Sequence, residues 1–176
     1  MKATALIQIP ATSPVLPGRR LRPRTGTQRP APATPPPLSS LGALEAQRLT
    51  MNRAVLSVSG PTDVVLYALT GPGRTAHDDL AAVRGYTSAQ RLTVHGAAIV
   101  DALDETDVRT GGDDPLLRRG YARAMRMLAD PTCSARGVVA VSRTTITIAD
   151  RLYQDQLTWY AAQQAGLWLV RRETQI

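Results

Sequence analysis

Arginines and hydroxyl side chains follow two apolar runs of this sequence, and together they have the chemistry to hold an anion. Ser142 and Arg143 come directly after the run Gly137–Val141. Arg74 lies in a turn rich in glycine and proline that follows the run Asp63–Leu69. Hydroxyl groups, guanidinium groups and backbone amides at a helix start all bind phosphate-like groups. The turn that contains Arg74 matches neither a nucleotide- nor a dinucleotide-binding fingerprint, and its glycines and proline favour an ordinary tight turn. An ordinary connection between strand and helix is likewise the favoured interpretation of the segment at Ser142 and Arg143.

An alternation of apolar runs and helix-like segments must position these residues. A short apolar run rich in valine is typical of a strand buried on both faces. The last part of the chain predicts a βαβ unit: strand Gly137–Val141, loop Ser142–Thr147, helix Ala149–Ala165 and strand Gly166–Val170.

Earlier segments continue the alternation. The pattern predicts strand 63–69, helix 76–90 with a capping box from Thr75 to Asp78, strand 97–100, loop 104–115 and helix 116–129. Residues 54–58 are interpreted as an irregular edge strand or a lead-in. Alternating strands and helices form a parallel sheet with helices on both faces, and ligands bind beyond the carboxyl ends of its strands. We therefore predict a three-layer α/β domain with an open parallel sheet and its site in the loops after residues 70 and 141.

Residues 1–50 differ in composition from the rest of the chain. Nine of the 13 prolines lie between Pro10 and Pro37, and the segment has seven basic residues against one acidic residue. Such a segment buries too little apolar surface to offset its chain entropy. We predict a disordered Pro/Arg-rich arm over residues 1–50, with at most a short helix of little consequence at 41–49, and a folded domain over 51–176. The arm is either a basic segment that contacts nucleic acid or an acidic partner, or it is a dispensable tail or the product of translation from a start upstream of Met51.

The net charge of +7 belongs almost entirely to that arm. Residues 51–176 hold 14 basic and 13 acidic groups, a balance of +1. Because contacts to phosphate dominate DNA affinity, such a domain is expected to bind DNA only weakly or through a partner. The chain has no run of about 18 apolar residues, so no membrane span is expected. The single cysteine, Cys133, cannot form an internal disulfide, which favours a cytoplasmic protein.

Histidines and acidic residues do not form a recognisable metal motif. His77 and His95 have no cysteine or acid at ligand spacing. We therefore expect neither a metal nor a cofactor. The acidic set does not match the calcium-loop pattern and is interpreted as a solvated loop; its members are Asp101, Asp104, Glu105, Asp107, Asp113 and Asp114.

Three local segments between Asp63 and Val170 are informative together. The first is Tyr67-Ala68-Leu69-Thr70-Gly71 at the end of the first strand, the second is Asp114-Pro115-Leu116-Leu117-Arg118-Arg119-Gly120-Tyr121, and the third is Val138–Thr147. With these segments and the order of its elements, this part of the chain resembles the catalytic domain of serine recombinases, the resolvase/invertase family. The second segment looks like the family's Arg-Pro-Gly-Leu segment, and the third stands where the family has a strand and then Asp-Arg-Leu-Ser-Arg.

The resemblance implies a reaction in which a serine attacks a DNA phosphodiester while arginines neutralise the developing charge. Alignment on Tyr67 places Leu69 at a family arginine and Gly71 at the serine. A shift of one residue instead places Thr70 at the nucleophile. Arg118 retains one expected catalytic arginine. The resemblance thus implies catalytic positions at Thr70 and Arg118.

The third match departs from the family in the same way, because Thr144 and Thr145 stand at the Asp-Arg pair and Ile148 at the last arginine. The residues left for anion or DNA binding are Arg74, Ser142 and Arg143. We expect a degenerate, catalytically inactive recombinase-like domain that acts through protein contacts, with a partner or as a homo-oligomer, or is a remnant of a recombination protein. The alternative is an active DNA strand transferase that works with a DNA-binding partner.

Overall fold

The computed structural model describes residues 39–71, 75–103 and 114–173. The predicted arm up to residue 38 and most of the predicted acidic loop, residues 104–113, lie outside the described residues. The helices are α1 (Leu41–Leu56), α2 (Ala76–Ala89), α3 (Arg119–Ala129), α4 (Arg143–Ile146) and α5 (Asp150–Ala162), with a 3-10 turn at Pro115–Leu117. The strands are β1 (Asp63–Thr70), β2 (Thr93–Val94), β3 (Ile99–Ala102), β4 (Ala135–Ala140) and β5 (Gly166–Leu169).

Every strand pairing in the sheet is parallel. The strands lie in the order β2-β1-β4-β5, and β3 pairs with the second half of β1. Val65 pairs with Val138 of β4, and Val139 pairs in turn with Trp168 of β5. The carboxyl ends of β1, β3 and β4 therefore point the same way, as the predicted topology requires.

Side chains of β1 alternate between two cores, because successive residues of a strand face opposite sides of a sheet. Val64 and Leu66 pack in one cluster with Val83 of α2. Val65 and Tyr67 pack in the other, with residues of α3, α4 and α5. Helices thus cover both faces, and the predicted three-layer α/β fold is confirmed.

Helix α1 requires the largest correction. Its Asn52 side chain bonds both backbone groups of Leu167, donating to the carbonyl at 2.8 Å and accepting from the amide at 2.9 Å. Arg48 forms a buried ion pair with Glu173. The predicted boundary after residue 50 therefore falls inside a packed helix, and the helix at 41–49 is not of little consequence. Residues 54–56 complete that helix and are not an edge strand.

Smaller differences concern the ends of elements. The loop predicted over Ser142–Thr147 contains the short helix α4, and the second predicted helix begins as a 3-10 turn. The strand predicted at 97–100 is β3, two residues further along the chain. Thr75 precedes α2 as expected but makes no capping bond to the backbone; its hydroxyl contacts Asp78 at 3.5 Å.

Candidate functional site

The carboxylate of Asp101, at the end of β3, organises the site. It accepts hydrogen bonds from the backbone amides of Gly120 and Tyr121, both at 2.8 Å, and from the Tyr67 hydroxyl at 3.1 Å. A carboxylate is stabilised at a helix N-terminus, where amides lack partners. Gly120 permits this approach, because a Cβ there would come within 2.6 Å of both Asp101 Oδ1 and Ile99. The N-terminus of α3 is thus already occupied by an internal anion.

Tyr67 lies beneath this carboxylate in the core. Its ring packs edge-on against Tyr121, with centroids 5.2 Å apart. Burial raises the pKa of the Tyr67 hydroxyl well above its ordinary value; Arg118 opposes this effect and Asp101 reinforces it. The hydroxyl therefore stays protonated and acts as a hydrogen-bond donor at neutral pH.

Arg118 is buried and bonded to backbone rather than open to a ligand. One guanidinium nitrogen donates to the carbonyl of Thr145 at 3.0 Å and to that of Ile146 at 2.9 Å. These carbonyls belong to the last turn of α4, which has no intrahelical donors for them. Arg118 Nε is buried without a hydrogen-bond partner among the described residues. The guanidinium thus caps the C-terminal end of α4.

The hydroxyl groups of the site bond to one another or to backbone. Ser142 is buried, with its Oγ 2.8 Å from Thr144 Oγ1 and 3.4 Å from Thr145 Oγ1. Thr70 is half-buried, and its hydroxyl donates to the Asp101 carbonyl at 3.1 Å. Among the described residues, neither hydroxyl is bonded to a side chain that could act as a base, which a nucleophile needs for activation.

Arg143 forms a local ion pair with Asp150. It binds the Asp150 carboxylate at the start of α5 and lies over the Tyr153 ring, 5.8 Å from the centroid. Its side chain is 12% exposed. An incoming anion therefore competes with an acid already in place.

Three other positions that the family resemblance assigned to arginines hold no cation. Leu69 is 4% exposed in the core, and Thr145 is fully buried. Ile148 is 62% exposed. The carboxyl ends of β1 and β4 are consequently apolar or hydroxylic where phosphoryl transfer needs positive charge.

Arg118 lies against the segment that contains Ser142, because it donates to the carbonyls of Thr145 and Ile146. Thr70 donates to the backbone carbonyl of Asp101. Arg143 points to Asp150 instead. Arg74 lies outside the described residues. Sequence reasoning missed Asp101, which was assigned to a solvated loop although it is a strand residue with three donors. An acid directly after the β-branched pair Ile99-Val100 was the signal that places it at a strand end.

Within the ranges 39–71, 75–103 and 114–173, no group of three or more histidine, cysteine or acidic side chains is placed so that it could hold a metal ion. No helix in this described part of the chain is long and apolar enough to cross a membrane.

No protein-family model matches the sequence, and no curated protein matches it. Among solved structures, the fold is similar to that of an integrase catalytic domain. That structure is the N-terminal catalytic domain of TP901-1 integrase, with a TM-score of 0.51 and 12% sequence identity over 62% of this chain and 77% of that chain. At this identity the similarity establishes a recombinase-like fold and leaves the chemistry to the residues described above.

Proposed function

We propose that this chain is a recombinase-like domain with a degenerate active site, which acts through protein contacts. The observation that carries the proposal is that both candidate cations among the described residues, Arg118 and Arg143, are bound by internal partners. Arg118 binds backbone carbonyls, and Arg143 binds Asp150. Both guanidinium groups thus already have internal partners. The hydroxyl of Thr70 is bonded to backbone as well.

The chemistry explains why these changes matter together. Attack on a phosphodiester requires a nucleophile that loses its proton and cations preorganised at the developing charge. Loss of one preorganised donor costs about 10²–10³ in rate. Two family arginine positions hold Leu69 and Thr145. Even with partial compensation, the remaining rate is expected to be far below that of a recombinase.

A covalent-capture experiment tests the inactive site. A nicked duplex traps a recombinase as a covalent adduct because religation is blocked. We expect no denaturation-resistant adduct from the full chain, and the same result from Thr70→Ala and Ser142→Ala. An active serine recombinase on its own nicked site is the positive control. An adduct formed by the parent and lost in either variant would overturn the proposal of inactivity.

Exposed apolar side chains beside the site support a role in protein contacts. Leu116 and Leu117 precede Arg118 and are 49% and 78% exposed, and Ile148 follows the helix that Arg118 binds. Large apolar groups gathered on a surface mark interaction sites more often than isolated ones do. We define these three residues as the apolar rim.

Substitution of the apolar rim tests this role. We expect Leu117→Lys with Ile148→Lys to weaken self-association in sedimentation, or to abolish it, without lowering the melting temperature. Val58→Lys, an exposed apolar position in the turn after α1, is the matched control and is expected to leave association unchanged. If parent and rim variant are both monomeric at all concentrations, homo-oligomerisation is excluded and a different protein partner is required.

A second candidate function is DNA strand transfer with a DNA-binding partner. Arg118 Nε, buried and without a partner among the described residues, favours it, because a substrate phosphate could satisfy that donor. This candidate predicts that Arg118→Lys abolishes an adduct which the parent forms when a DNA-binding domain is fused to it. If the fused parent forms no adduct, this second candidate function is excluded.

A further inference from the structure

Four side chains from three segments form a hydrogen-bonded chain at the opposite, amino ends of β1 and β4. Asp63 begins β1, His95 follows β2, and Cys133 with Ser134 precedes β4. Ser134 Oγ lies 2.6 Å from Asp63 Oδ2 and 3.1 Å from His95 Nδ1. Cys133 Sγ lies 3.6 Å from His95 Nε2. The parallel pairing of β1 with both β2 and β4 is what brings these segments together.

The direction of the hydrogen bonds assigns the proton on His95. A carboxylate only accepts, so the Ser134 hydroxyl donates to Asp63. The Ser134 oxygen then accepts from His95, which places the imidazole proton on Nδ1. Nε2 is left with its lone pair toward Cys133. This is the logic of a nucleophile, a base and a group that orients the base.

The thiol is positioned to react. Cys133 is half-buried, and it is the chain's single cysteine. A thiolate, rather than a thiol, is the nucleophile, and a nearby imidazole removes the proton. We propose that Cys133 and His95, oriented by Ser134 and Asp63, form a reactive-thiol site that exchanges with small anionic disulfides.

A neighbouring cleft supplies the preference for negative charge. The cleft has a volume of about 550 Å³ and runs from His95 along β3 to α3. Arg119 and Arg123 line it and are exposed. Neither arginine has an acidic partner within the described ranges. Asp101 also lines the cleft, but its carboxylate accepts from the backbone amides of Gly120 and Tyr121. Carboxylate groups of a ligand that extends from His95 into the cleft are therefore expected to meet the two guanidinium groups.

The exchange step is balanced. His95 Nε2 takes the proton from the Cys133 thiol, and the thiolate attacks one sulfur of the disulfide. The new bond joins Cys133 Sγ to that sulfur as the original S–S bond breaks. The released half leaves as a thiolate and takes up the proton from His95 or from solvent. No external oxidant is needed, because the disulfide itself is reduced.

The test measures the reaction of the full chain with 5,5′-dithiobis(2-nitrobenzoic acid), an aromatic disulfide with two carboxylates, at neutral pH. An unassisted thiol is only a few per cent ionised at this pH, so assistance can raise the rate by about ten- to thirtyfold. We expect His95→Gln to lose about tenfold in rate with an unchanged circular dichroism spectrum. A loss of less than about threefold would overturn the proposal, and a larger loss supports it.

Further variants keep the test decisive. Ser134→Ala removes an exposed hydroxyl and is expected to slow the reaction in the same direction, which preserves the test if His95→Gln does not fold. An unchanged rate in Ser134→Ala would contradict the proposed orientation of His95. Cys133→Ser must give no reaction at all.

A separate experiment tests the preference for negatively charged disulfides. The ratio of the rate with the dianionic disulfide to that with neutral 2,2′-dithiodipyridine is expected to fall in the double variant Arg119→Gln, Arg123→Gln. Arg126→Gln, on the same helix but outside the cleft lining, is the control. An unchanged ratio in the double variant would overturn the preference for anionic disulfides.

Discussion

Arg118 shows how much of a site residue can be inferred from sequence. Its position after Asp114-Pro115 matches the family segment, and its guanidinium lies against α4, the helix that follows β4. What it binds could not be inferred, because its partners are the backbone carbonyls of Thr145 and Ile146 and carry no side-chain signature. The same applies to Asp101, whose donors are two backbone amides and a tyrosine far away in the sequence.

Gly137 of β4 and Gly166 of β5 lie close together where the two strands pair, and this contact allows a prediction about stability at the residue scale. A Cβ on Gly137 would lie 2.3 Å from the carbonyl oxygen of Gly166 and from the ring of Trp168. Because one obstacle is backbone inside a parallel sheet, it cannot move aside. We expect Gly137→Ala to lower the free energy of unfolding by about 1–3 kcal/mol, as overpacking does.

Gly85 provides the matched control for that substitution. It lies within α2, is exposed, and has no heavy atom within 4 Å of an added Cβ. Gly85→Ala is expected to raise the free energy of unfolding by roughly 0.5–1 kcal/mol, because alanine loses less backbone entropy in a helix. Urea denaturation of both variants measures the contrast, and equal effects would contradict it.

At the scale of elements, α1 shields the outer side of β5. An unpaired strand edge is a template for aggregation, and proteins commonly cover it. Here the Asn52 amide takes the place of a neighbouring strand's peptide group opposite Leu167. The sequence did not reveal this role because Arg48 and Asn52 interrupt the apolar face formed by Leu44, Met51 and Val55. Buried polar residues hide a helix from an analysis of hydrophobic periodicity.

The ion pair between α1 and the segment after β5 is expected to make stability depend on pH. Burial raises the pKa of Glu173, but hydrogen bonds and charge from Arg48, with a bond from Tyr153, outweigh it and leave that pKa below its ordinary 4.5. A depressed pKa in the folded state contributes stability that is present above the unfolded pKa. That stability is lost as pH falls through the folded value.

Comparison with Glu173→Gln isolates this contribution from other carboxylates. At neutral pH the variant is expected to lose about 3–5 kcal/mol, because Arg48 remains buried without its partner. Below pH of about 4.5 the difference from the parent is expected to shrink. Urea denaturation at a series of pH values measures it. A difference that stays constant down to pH of about 3 would show that Glu173 does not titrate as described.

At the scale of the whole molecule, the alternation of apolar runs predicted the parallel sheet, and the structure confirms it. The predicted domain boundary after residue 50 falls within α1, and truncation tests a boundary after residue 38 instead. A chain lacking residues 1–38 retains all of α1 and is expected to keep the parent's melting temperature. A chain lacking residues 1–50 loses Leu44 and Arg48, so its melting temperature is expected to fall by at least about 10 °C, or the chain does not fold. Equal melting temperatures for the two truncations would show that α1 contributes nothing.

DNA binding is the last whole-molecule property that the charge distribution predicts. Residues 1–38 hold six basic residues and no acid, a balance of +6, whereas residues 39–176 hold 15 basic and 14 acidic residues, a balance of +1. Each phosphate contact contributes a slope of about −0.9 to the dependence of log affinity on log salt. We expect the full chain to bind duplex weakly, without sequence preference, and with a slope of several units. The chain lacking residues 1–38 is expected to show almost no binding at low salt. Fluorescence anisotropy with two unrelated duplexes across a salt series measures both chains. Tight, salt-resistant binding of one duplex by the truncated chain would place a specific DNA surface on the folded domain and contradict the assignment of binding to the arm.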